Sequence, residues 1–440
     1  MLEVPRVLER WLWSFWALGG VAWLCGVAWL VGVGVAVGRA TTGFARLPRL
    51  ADAPRAPWST DEAAEGPPPP MVSVVVAARN EAATVAPALT SILASDHPRL
   101  EVVAVDDRST DGTGAILEAL AERDARMRVL RLSGVPEGWL GKTHALQRGA
   151  EVAAGDWLLF TDADVRFAPT AIRRALAFAE RARLDHLTAL PAMIAPGPAL
   201  RVYVVWMLFV FTVWQRPWQA SRMDCRASAG FGAFNLVRRD AYWGVGGHAA
   251  MRLSLADDVV LGGLLKAAGY RQTLVVAAHV RRTDPPLMQL QWYADLPSAV
   301  RGFEKNAFAM FGFQAWAVAI CAALGLACAV LPIAGSVLAP GWRRMPWIAG
   351  YLLTAWSVVY AGRAVMGRFP WTYGLLFPAA QASLVWTVVR SAWISLRRGG
   401  VRWRDTFYPL DALRAADRAL RAELESAPVR QAEDLFAPRH

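Results

Sequence analysis

The longest apolar segment of the chain covers residues 15–37, which contain no charged side chain. A helix rises about 1.5 Å per residue, so this segment can cross a hydrocarbon core of about 30 Å. The alternative is a cleaved signal peptide, but the run is longer than a signal-peptide core and leads directly into Arg39. We therefore predict an N-terminal transmembrane helix.

Further apolar stretches follow in the C-terminal half, at residues 314–339, 347–361 and 371–389, and the middle one is short for a membrane span. Between the two apolar ends, β-rich runs alternate with helical stretches from residue 71 onward. The strand runs are residues 71–78, 100–105, 128–132 and 157–161, and the helices start near Ala82, after Asp111, after Lys142 and near Thr170. This alternation predicts an α/β domain with a mostly parallel sheet and helices on both faces.

Composition divides the chain further, because residues 51–70 are rich in Pro, Ala and acidic residues and end in four prolines, which is typical of an extended linker. The predicted units are a transmembrane anchor at 1–40, a linker at 41–70, a catalytic domain at 71–310, a C-terminal transmembrane region at 311–396 and a basic cytoplasmic tail at 397–440.

The formal charge of +11 comes mostly from arginines that lie beside apolar segments. This distribution favours anionic lipid headgroups over nucleic acid, so we expect a membrane and no nucleic-acid partner. The arginines that follow the first span place the next region in the cytoplasm by the positive-inside rule. Three full C-terminal spans would then leave the tail outside, although its arginines favour the inside. Either 347–361 or 371–389 is then re-entrant, or 314–339 is not a simple crossing, and the sequence leaves these alternatives open.

Cysteine usage adds no site. Cys25, Cys321 and Cys328 lie in apolar spans and Cys225 stands alone, so neither a disulfide framework nor a zinc site is predicted.

Acidic residues follow the predicted strands, at the edge of the sheet where ligands bind. The first strand ends in ARNEAAT with Glu81, the second in VDDRSTDGT with Asp106 and Asp107, and the fourth in TDAD with Asp162 and Asp164. Polar turns and helix caps could explain the first two motifs. In TDAD, however, the spacing of two lets both carboxylates reach one hard cation and its diphosphate, so Mg²⁺ or Mn²⁺ is expected.

Two further segments supply candidate groups. Lys142 opens a helix after the glycine-rich PEGWLGK loop, where an ammonium beside free backbone N–H groups suits phosphate oxygens, although it could also be merely solvated. Asp257 and Asp258 open another helix. Acids there ordinarily complement the helix dipole, but one of them could act as a general base toward an acceptor hydroxyl.

These residues resemble family 2 of the glycosyltransferases, specifically the membrane-attached, lipid-modifying kind related to hopanoid-associated, carotenoid and ceramide glycosyltransferases. The matching motifs are ARNE, VDDRSTDGT, GWLGKTHAL, TDAD, GFGAFNLVRRDAY, GGH and ADDVVLGGLLKAAGYR. The resemblance implies a GT-A type domain that transfers a sugar with inversion from a nucleotide-sugar donor, with a UDP-sugar expected.

The resemblance also assigns roles. It implies a nucleoside pocket formed by Ala78, Glu81, Asp106 and Asp107. Lys142 would face the diphosphate, Asp162 and Asp164 would handle the metal and the donor sugar, Asp257 would belong to the donor site, and Asp258 would be the catalytic base. The tail sequence VRWRDTFYPL departs from the Trp-Arg-Gly-Arg-x-Tyr-like sequence of relatives at Asp405 and Thr406.

The predicted function is transfer of one sugar to a hydroxyl, on an acceptor expected to be lipid-linked, at the cytoplasmic face of the cell membrane. A processive polysaccharide synthase is the first alternative, but no QxxRW motif follows the base. A non-catalytic nucleotide-sugar-binding membrane protein is the second. The apolar, aromatic residues 200–218 lie inside the catalytic domain, as either an interfacial helix that guides the lipid or a buried core segment.

Overall fold

A computed structural model describes residues 6–53, 68–278 and 285–426 of the chain. The predicted linker at 54–67 and the end of the tail at 427–440 lie outside the described residues. The strands are β1 (Val72–Ala78), β2 (Leu100–Asp107), β3 (Met127–Leu132), β4 (Trp157–Asp162), β5 (Arg166–Phe167), β6 (His186–Leu190), β7 (Ala192–Met193), β8 (Asn235–Arg238), β9 (Gln272–Val276), β10 (Met288–Leu290), β11 (Gly400–Trp403) and β12 (Thr406–Pro409).

The helices include every one predicted from the alternating pattern. They are α1 (Arg6–Ala45), α2 (Val85–Leu93), α3 (Thr113–Ala121), α4 (Gly141–Val152), α5 (Ala171–Arg181), α6 (Pro198–Gln215), α7 (Arg239–Gly244), α8 (Asp257–Ala267), α9 (Leu296–Ala307), α10 (Ala315–Leu338), α11 (Met345–Met366), α12 (Trp371–Gly374), α13 (Phe377–Arg398) and α14 (Leu410–Ser426).

The main sheet has the order β3-β2-β1-β4-β8-β6-β9 and is parallel except for β8, which runs antiparallel to both of its neighbours. Side chains of β1 alternate between two cores, because successive residues of a strand point to opposite faces. Val72, Val74 and Val76 pack with α2, α3 and α5 on one face, while Val75 packs with α4 and α8 on the other. The predicted α/β class, with a mostly parallel sheet and helices on both faces, is confirmed.

Among the described residues, four helical segments are long and apolar enough to cross a membrane: Trp23–Ala45, Pro198–Gln215, Ala315–Leu338 and Gly341–Met366. The segment predicted at 347–361 is therefore longer than its apolar core suggested, since α11 extends it at both ends. The predicted 371–389 segment becomes α12 and the first part of α13, which is not one of these four segments.

The helix α6 leaves the sheet domain after β7 and returns to it before β8. It packs against α11 and α13: Val205 and Trp206 lie in one buried cluster with Val358 and Phe377. The Trp206 Nε1–H also donates to Gln381 Oε1 at 2.5 Å. This helix therefore connects the sheet domain to the C-terminal apolar helices.

The path of α12 and α13 determines where the chain goes after the apolar helices. Gly374 in α12 packs against the backbone of Ala355 in the middle of α11, and α13 then runs antiparallel to α10, with Ala392 clustered beside Val318. Arg390 of α13 pairs with Glu304 of α9 at 2.9 Å. The chain thus re-enters the helix bundle and returns to the end at which α10 began.

The described part of the predicted tail, residues 397–426, folds onto the sheet domain. The strands β11 and β12 form an antiparallel hairpin, and α14 packs on the hairpin and beside α8. Buried Tyr408, Leu410 and Leu413 fix this arrangement. The described residues of the predicted linker behave similarly, since Leu47 and Leu50 are buried in the sheet core. Neither segment is a separate unit where the structure describes it.

Candidate active site

The carboxyl ends of β1, β2 and β4 open into a polar cavity of about 360 Å³. All predicted site residues except Asp106 line it: Ala78, Glu81, Asp107, Lys142, Asp162, Asp164, Asp257 and Asp258. We refer to this cavity as the acidic pocket. Strand-end placement explains the convergence, because parallel strands deliver their terminal residues to one edge of the sheet.

Asp106 points away from the acidic pocket. Its carboxylate accepts a hydrogen bond from the Ser109 backbone N–H at 3.0 Å and lies against Gly114 at the start of α3. Neighbouring residues in a strand face opposite sides, so the placement of Asp107 in the pocket turns Asp106 toward the helix. Asp106 thus holds the turn after β2.

The turns after β1 and β2 are joined by hydrogen bonds. The Asn80 N–H donates to Ser109 Oγ at 3.1 Å, and the Thr110 N–H donates to Asn80 Oδ1 at 2.8 Å. Both Asn80 and Arg108 have a left-handed backbone, with φ of 55° and 61°, a conformation that few side chains adopt without such support. Arg108 in turn donates from Nε to Asp107 Oδ1 at 2.8 Å.

Lys142 lies at the centre of the charge cluster. Its Nζ is 2.9 Å from Asp162 Oδ1 and 3.4 Å from Asp257 Oδ2. Burial acts to lower the pKa of the Lys142 ammonium, but the surrounding carboxylates, Asp162 foremost, outweigh burial and raise it. Lys142 therefore stays protonated and leaves a fixed positive charge in the pocket.

Asp164 is compensated less well by Lys142 than Asp162 is. Its Oδ1 is buried and has no hydrogen-bond partner among the described residues. Burial, and then the neighbouring charge of Asp162, raise the pKa of Asp164 to about 7. A divalent cation would supply the missing charge, so the side chains fit one. No group of three His, Cys, Asp or Glu side chains suited to a metal occurs in the described part of the chain. The remaining ligands would then be phosphate and water oxygens, as Mg²⁺ prefers.

The two acids at the start of α8 differ in environment. Asp257 is 5% exposed, and burial raises its pKa to about 6 against the opposing effect of Lys142. Asp258 is half-buried and lines the pocket. Gly232 makes room for the Asp162 carboxylate beside it, since a Cβ at that position would lie 2.8 Å from Asp162 Oδ2, whereas Asp258 Oδ2 would be at an ordinary contact distance of 3.5 Å.

The β11–β12 hairpin also lines the acidic pocket, which the sequence analysis did not predict. Arg404 pairs with Glu81 at 2.9 Å, Asp405 pairs with Arg79, and the Gly141 N–H donates to Tyr408 Oη at 3.3 Å. The VRWRDTFY sequence was the available signal, but its distance from the other motifs along the chain hid the contact.

Lys305 of α9 is a further residue that the sequence analysis missed. Its ammonium lies over the Trp403 ring, 4.4 Å from the ring centroid. Burial, and then repulsion from Lys142, lower its pKa to about 8. The pocket thus gains a second ammonium from an element outside the sheet.

An apolar cavity lies beside the acidic pocket. Its walls come from α1, α6 and α11, including Phe44, Phe209 and Phe211, and its inner wall includes Gly230 and Phe231. The next residue, Gly232, lines the acidic pocket, and Phe231 packs on Trp292 of that pocket with ring centroids 5.4 Å apart. A short glycine-rich segment therefore separates the two cavities.

An α/β sheet with carboxylates at its strand ends and a lysine at the start of α4 has the layout that suits a nucleotide and its phosphates. Residues 73–245 match the family model described as Glycosyl transferase family 2. This part of the chain is thus a family 2 glycosyltransferase domain of the GT-A type.

Curated relatives match over part of their length. The 4,4'-diaponeurosporenoate glycosyltransferase of Staphylococcus haemolyticus is 34% identical over 107 residues, which cover 24% of this chain and 28% of the relative. The beta-monoglucosyldiacylglycerol synthase of Synechocystis sp. is 29% identical over 177 residues, which cover 40% of this chain and 33% of the relative. The chain therefore spans about a third of these relatives.

Among solved structures, a mannosyltransferase from Pyrobaculum calidifontis in complex with GDP-Man and Mn²⁺ is similar at 19% sequence identity. The similarity covers 83% of this chain and 99% of that one, with a TM-score of 0.46.

Proposed function

We propose that this protein transfers one sugar, with inversion, from a nucleotide-sugar donor to a hydroxyl of a lipid acceptor at the cytoplasmic membrane face. The observation that supports this most directly is the pairing of two cavities. The acidic pocket and the apolar cavity meet at residues 230–232, beside Asp258. A charged donor and an apolar acceptor would each find a matching surface, with their reacting ends at the same place.

In this proposal the donor nucleoside lies at the strand ends near Ala78, Glu81 and Asp107, with a UDP-sugar as the expected donor. The Lys142 ammonium, held in position by Asp162 and Asp257, faces the diphosphate and stabilises the charge that builds up on the leaving group. Asp162 and Asp164 would hold a divalent cation, Mg²⁺ or Mn²⁺, which when bound adds Lewis-acid stabilisation of the same diphosphate.

Asp258 removes the proton of the acceptor hydroxyl as that oxygen attacks the anomeric carbon from the face opposite the diphosphate. This partly exposed carboxylate is better placed for the role than Asp257, which is buried against Lys142. Asp257 then positions the lysine. The C–O bond to the acceptor forms as the bond to the diphosphate breaks, and the configuration inverts.

The acceptor lipid would enter along the apolar cavity between α1, α6 and α11. Both ends of α6 join strands of the sheet domain, so it enters the membrane surface without crossing it. This agrees with the interfacial role predicted for residues 200–218. The curated relatives named for a carotenoid-type acid and for a diacylglycerol lipid support an acceptor of this kind.

The same helices support a membrane sidedness. In this proposal α1, α10 and α11 cross the membrane, while α6 and the α12–α13 segment enter it and return. The contact of Arg404 with Glu81 requires the hairpin and the sheet domain to share one side. Arg39, Arg46 and Arg397 cluster toward that side, which supports the cytoplasmic face.

The test is product analysis. Membranes that contain the protein are incubated with a panel of nucleotide sugars, the lipid fraction is examined by mass spectrometry, and the anomeric configuration of the product is determined by NMR. A single added sugar of inverted configuration is expected. Long polymers would instead support a processive synthase, and donor binding without any product would support a binding protein.

A further inference from the structure

A second polar cavity, of about 300 Å³, lies between α9, the end of α13 and the β11–β12 hairpin. It is lined by five cationic side chains and one carboxylate: Arg301, Lys305, Arg398, Arg402, Arg404 and Glu304. We call this cavity the basic pocket. It is distinct from the acidic pocket, which carries a group of carboxylates.

Among the described residues, the charges of the basic pocket are only partly balanced, since Arg404 pairs with Glu81 but the other cations of the lining have no such ion pair. Glu304 is already paired with Arg390, which lies outside the lining, at 2.9 Å. Within the part of the chain that the structure describes, Arg301, Arg398 and Arg402 have no carboxylate within salt-bridge distance. Like charges that converge without a counter-ion repel one another, so a bound anion would stabilise this arrangement.

The residues beside the basic pocket indicate which kind of anion it would bind. The helix α13 exposes Trp393 at 65% and Leu396 at 44%, immediately before its basic end at Arg397 and Arg398. Exposed tryptophan next to arginine is typical of the membrane–water interface, where phospholipid headgroups lie. An exposed interfacial tryptophan beside the cationic lining favours a lipid phosphate as the anion.

We propose that the basic pocket binds the phosphate of an anionic membrane lipid, and that this headgroup holds the β11–β12 hairpin against the acidic pocket. Lys305, Trp403 and Arg404 line both cavities. An anion on one side of these residues therefore stabilises the position from which Arg404 reaches Glu81 in the donor site.

Lipid retention tests whether the basic pocket binds an anionic lipid. This test requires no sugar transfer, so it is independent of the proposed activity. Full-length protein in mild detergent is titrated with phosphatidylglycerol or phosphatidylcholine, and bound lipids are counted by native mass spectrometry. The test variant is Arg398→Gln combined with Arg402→Gln. The control is Arg397→Gln with Arg418→Gln, which removes the same charge from exposed positions that do not line the pocket.

Wild type and control should each retain one phosphatidylglycerol in preference to phosphatidylcholine. Each lost arginine should weaken retention about fivefold, and the pair roughly 25-fold. Equal retention by all three proteins, or equal loss in test and control variants, would overturn the site. If inorganic phosphate at millimolar concentration displaces the lipid and stabilises the protein equally well, the ligand is free phosphate and the lipid source is wrong.

Donor binding tests whether the bound headgroup holds the hairpin against the acidic pocket. In phosphatidylcholine nanodiscs, adding phosphatidylglycerol should tighten UDP-sugar binding by wild type and control but leave the Arg398→Gln, Arg402→Gln protein unchanged. If the donor affinity of wild type did not depend on lipid composition, the headgroup in the basic pocket would not control the position of the hairpin. The melting temperatures of the three proteins without lipid should agree, which excludes misfolding as the cause.

Discussion

Protonation of Asp164 should control metal-dependent donor binding. Because burial raises the pKa of this carboxyl to about 7, its neutral form dominates below that pH when no cation is present. A cation needs the ionised form, so binding releases one proton in that range. The apparent affinity should therefore rise about tenfold per pH unit well below pH 7, about 50-fold in all from pH 5 to pH 7, where half of the carboxyl is ionised, and level off above about pH 8.

The assay is calorimetric titration of a nucleotide sugar into the protein with and without Mn²⁺. A nucleotide sugar is preferable to a free nucleotide because its diphosphate has no terminal phosphate that titrates in this range. The Mn²⁺-dependent part of the affinity is plotted against pH. Asp164→Asn should lose that part altogether, because the amide cannot replace the ionic ligand.

Two matched variants isolate the cause. Asp257→Asn removes the other carboxyl of the pocket whose pKa is raised, to about 6, and should keep the pH slope of wild type. Glu118→Gln removes an exposed carboxylate far from the pocket and should change nothing. A Mn²⁺-dependent affinity that is flat between pH 5 and pH 7 in wild type would refute the reasoning, and so would a slope that survives in Asp164→Asn.

Three further substitutions test the other groups of the site. Asp258→Asn should reduce transfer by roughly two to four orders of magnitude while nucleotide-sugar affinity stays within a few-fold of wild type. Asp257→Asn should reduce transfer less. Product assays on both variants check this, and the roles of the two residues would be reversed if Asp257→Asn alone were inactive. Replacing Phe209 and Phe211 with Ser should raise the apparent KM for a lipid acceptor and leave donor affinity intact, whereas an equal loss of donor binding would indicate a packing role. Arg404→Gln should weaken donor binding about tenfold, as expected for one lost charge-assisted hydrogen bond, and an unchanged calorimetric affinity would contradict a hairpin that closes over the donor.

The catalytic sheet was predictable because its signals are local. The strands β1, β2 and β4 are buried on both faces and therefore consist of nearly uninterrupted apolar residues, and their ends carry the polar motifs. Asp106 was placed in the pocket by family resemblance. The period of two in a strand already implied that Asp106 and Asp107 face opposite sides.

The C-terminal contribution was not predictable from local pattern. The strands β11 and β12 have four residues each, too few for a periodicity to stand out. The pairing of Arg404 and Asp405, in the turn between them, with Glu81 and Arg79 spans most of the chain. Lys305 was missed for a related reason. The helix α9 carries it toward the acidic pocket only because the helix packs between α6 and α13, which no local signal encodes.

The re-entrant path of α12 and α13 links these observations. Had α13 crossed the membrane, Arg404 and Tyr408 would lie on the side opposite Glu81 and Gly141, and neither of the observed contacts could form. The arginines at the end of α13 would also face away from the sheet domain. Returning to the same side instead brings a cationic hairpin to a pocket whose carboxylates need compensation, and in the proposed membrane arrangement it would leave Arg398 and Arg402 at the lipid interface. In that arrangement, one turn-back at α12 would connect the proposed donor site to the bilayer surface.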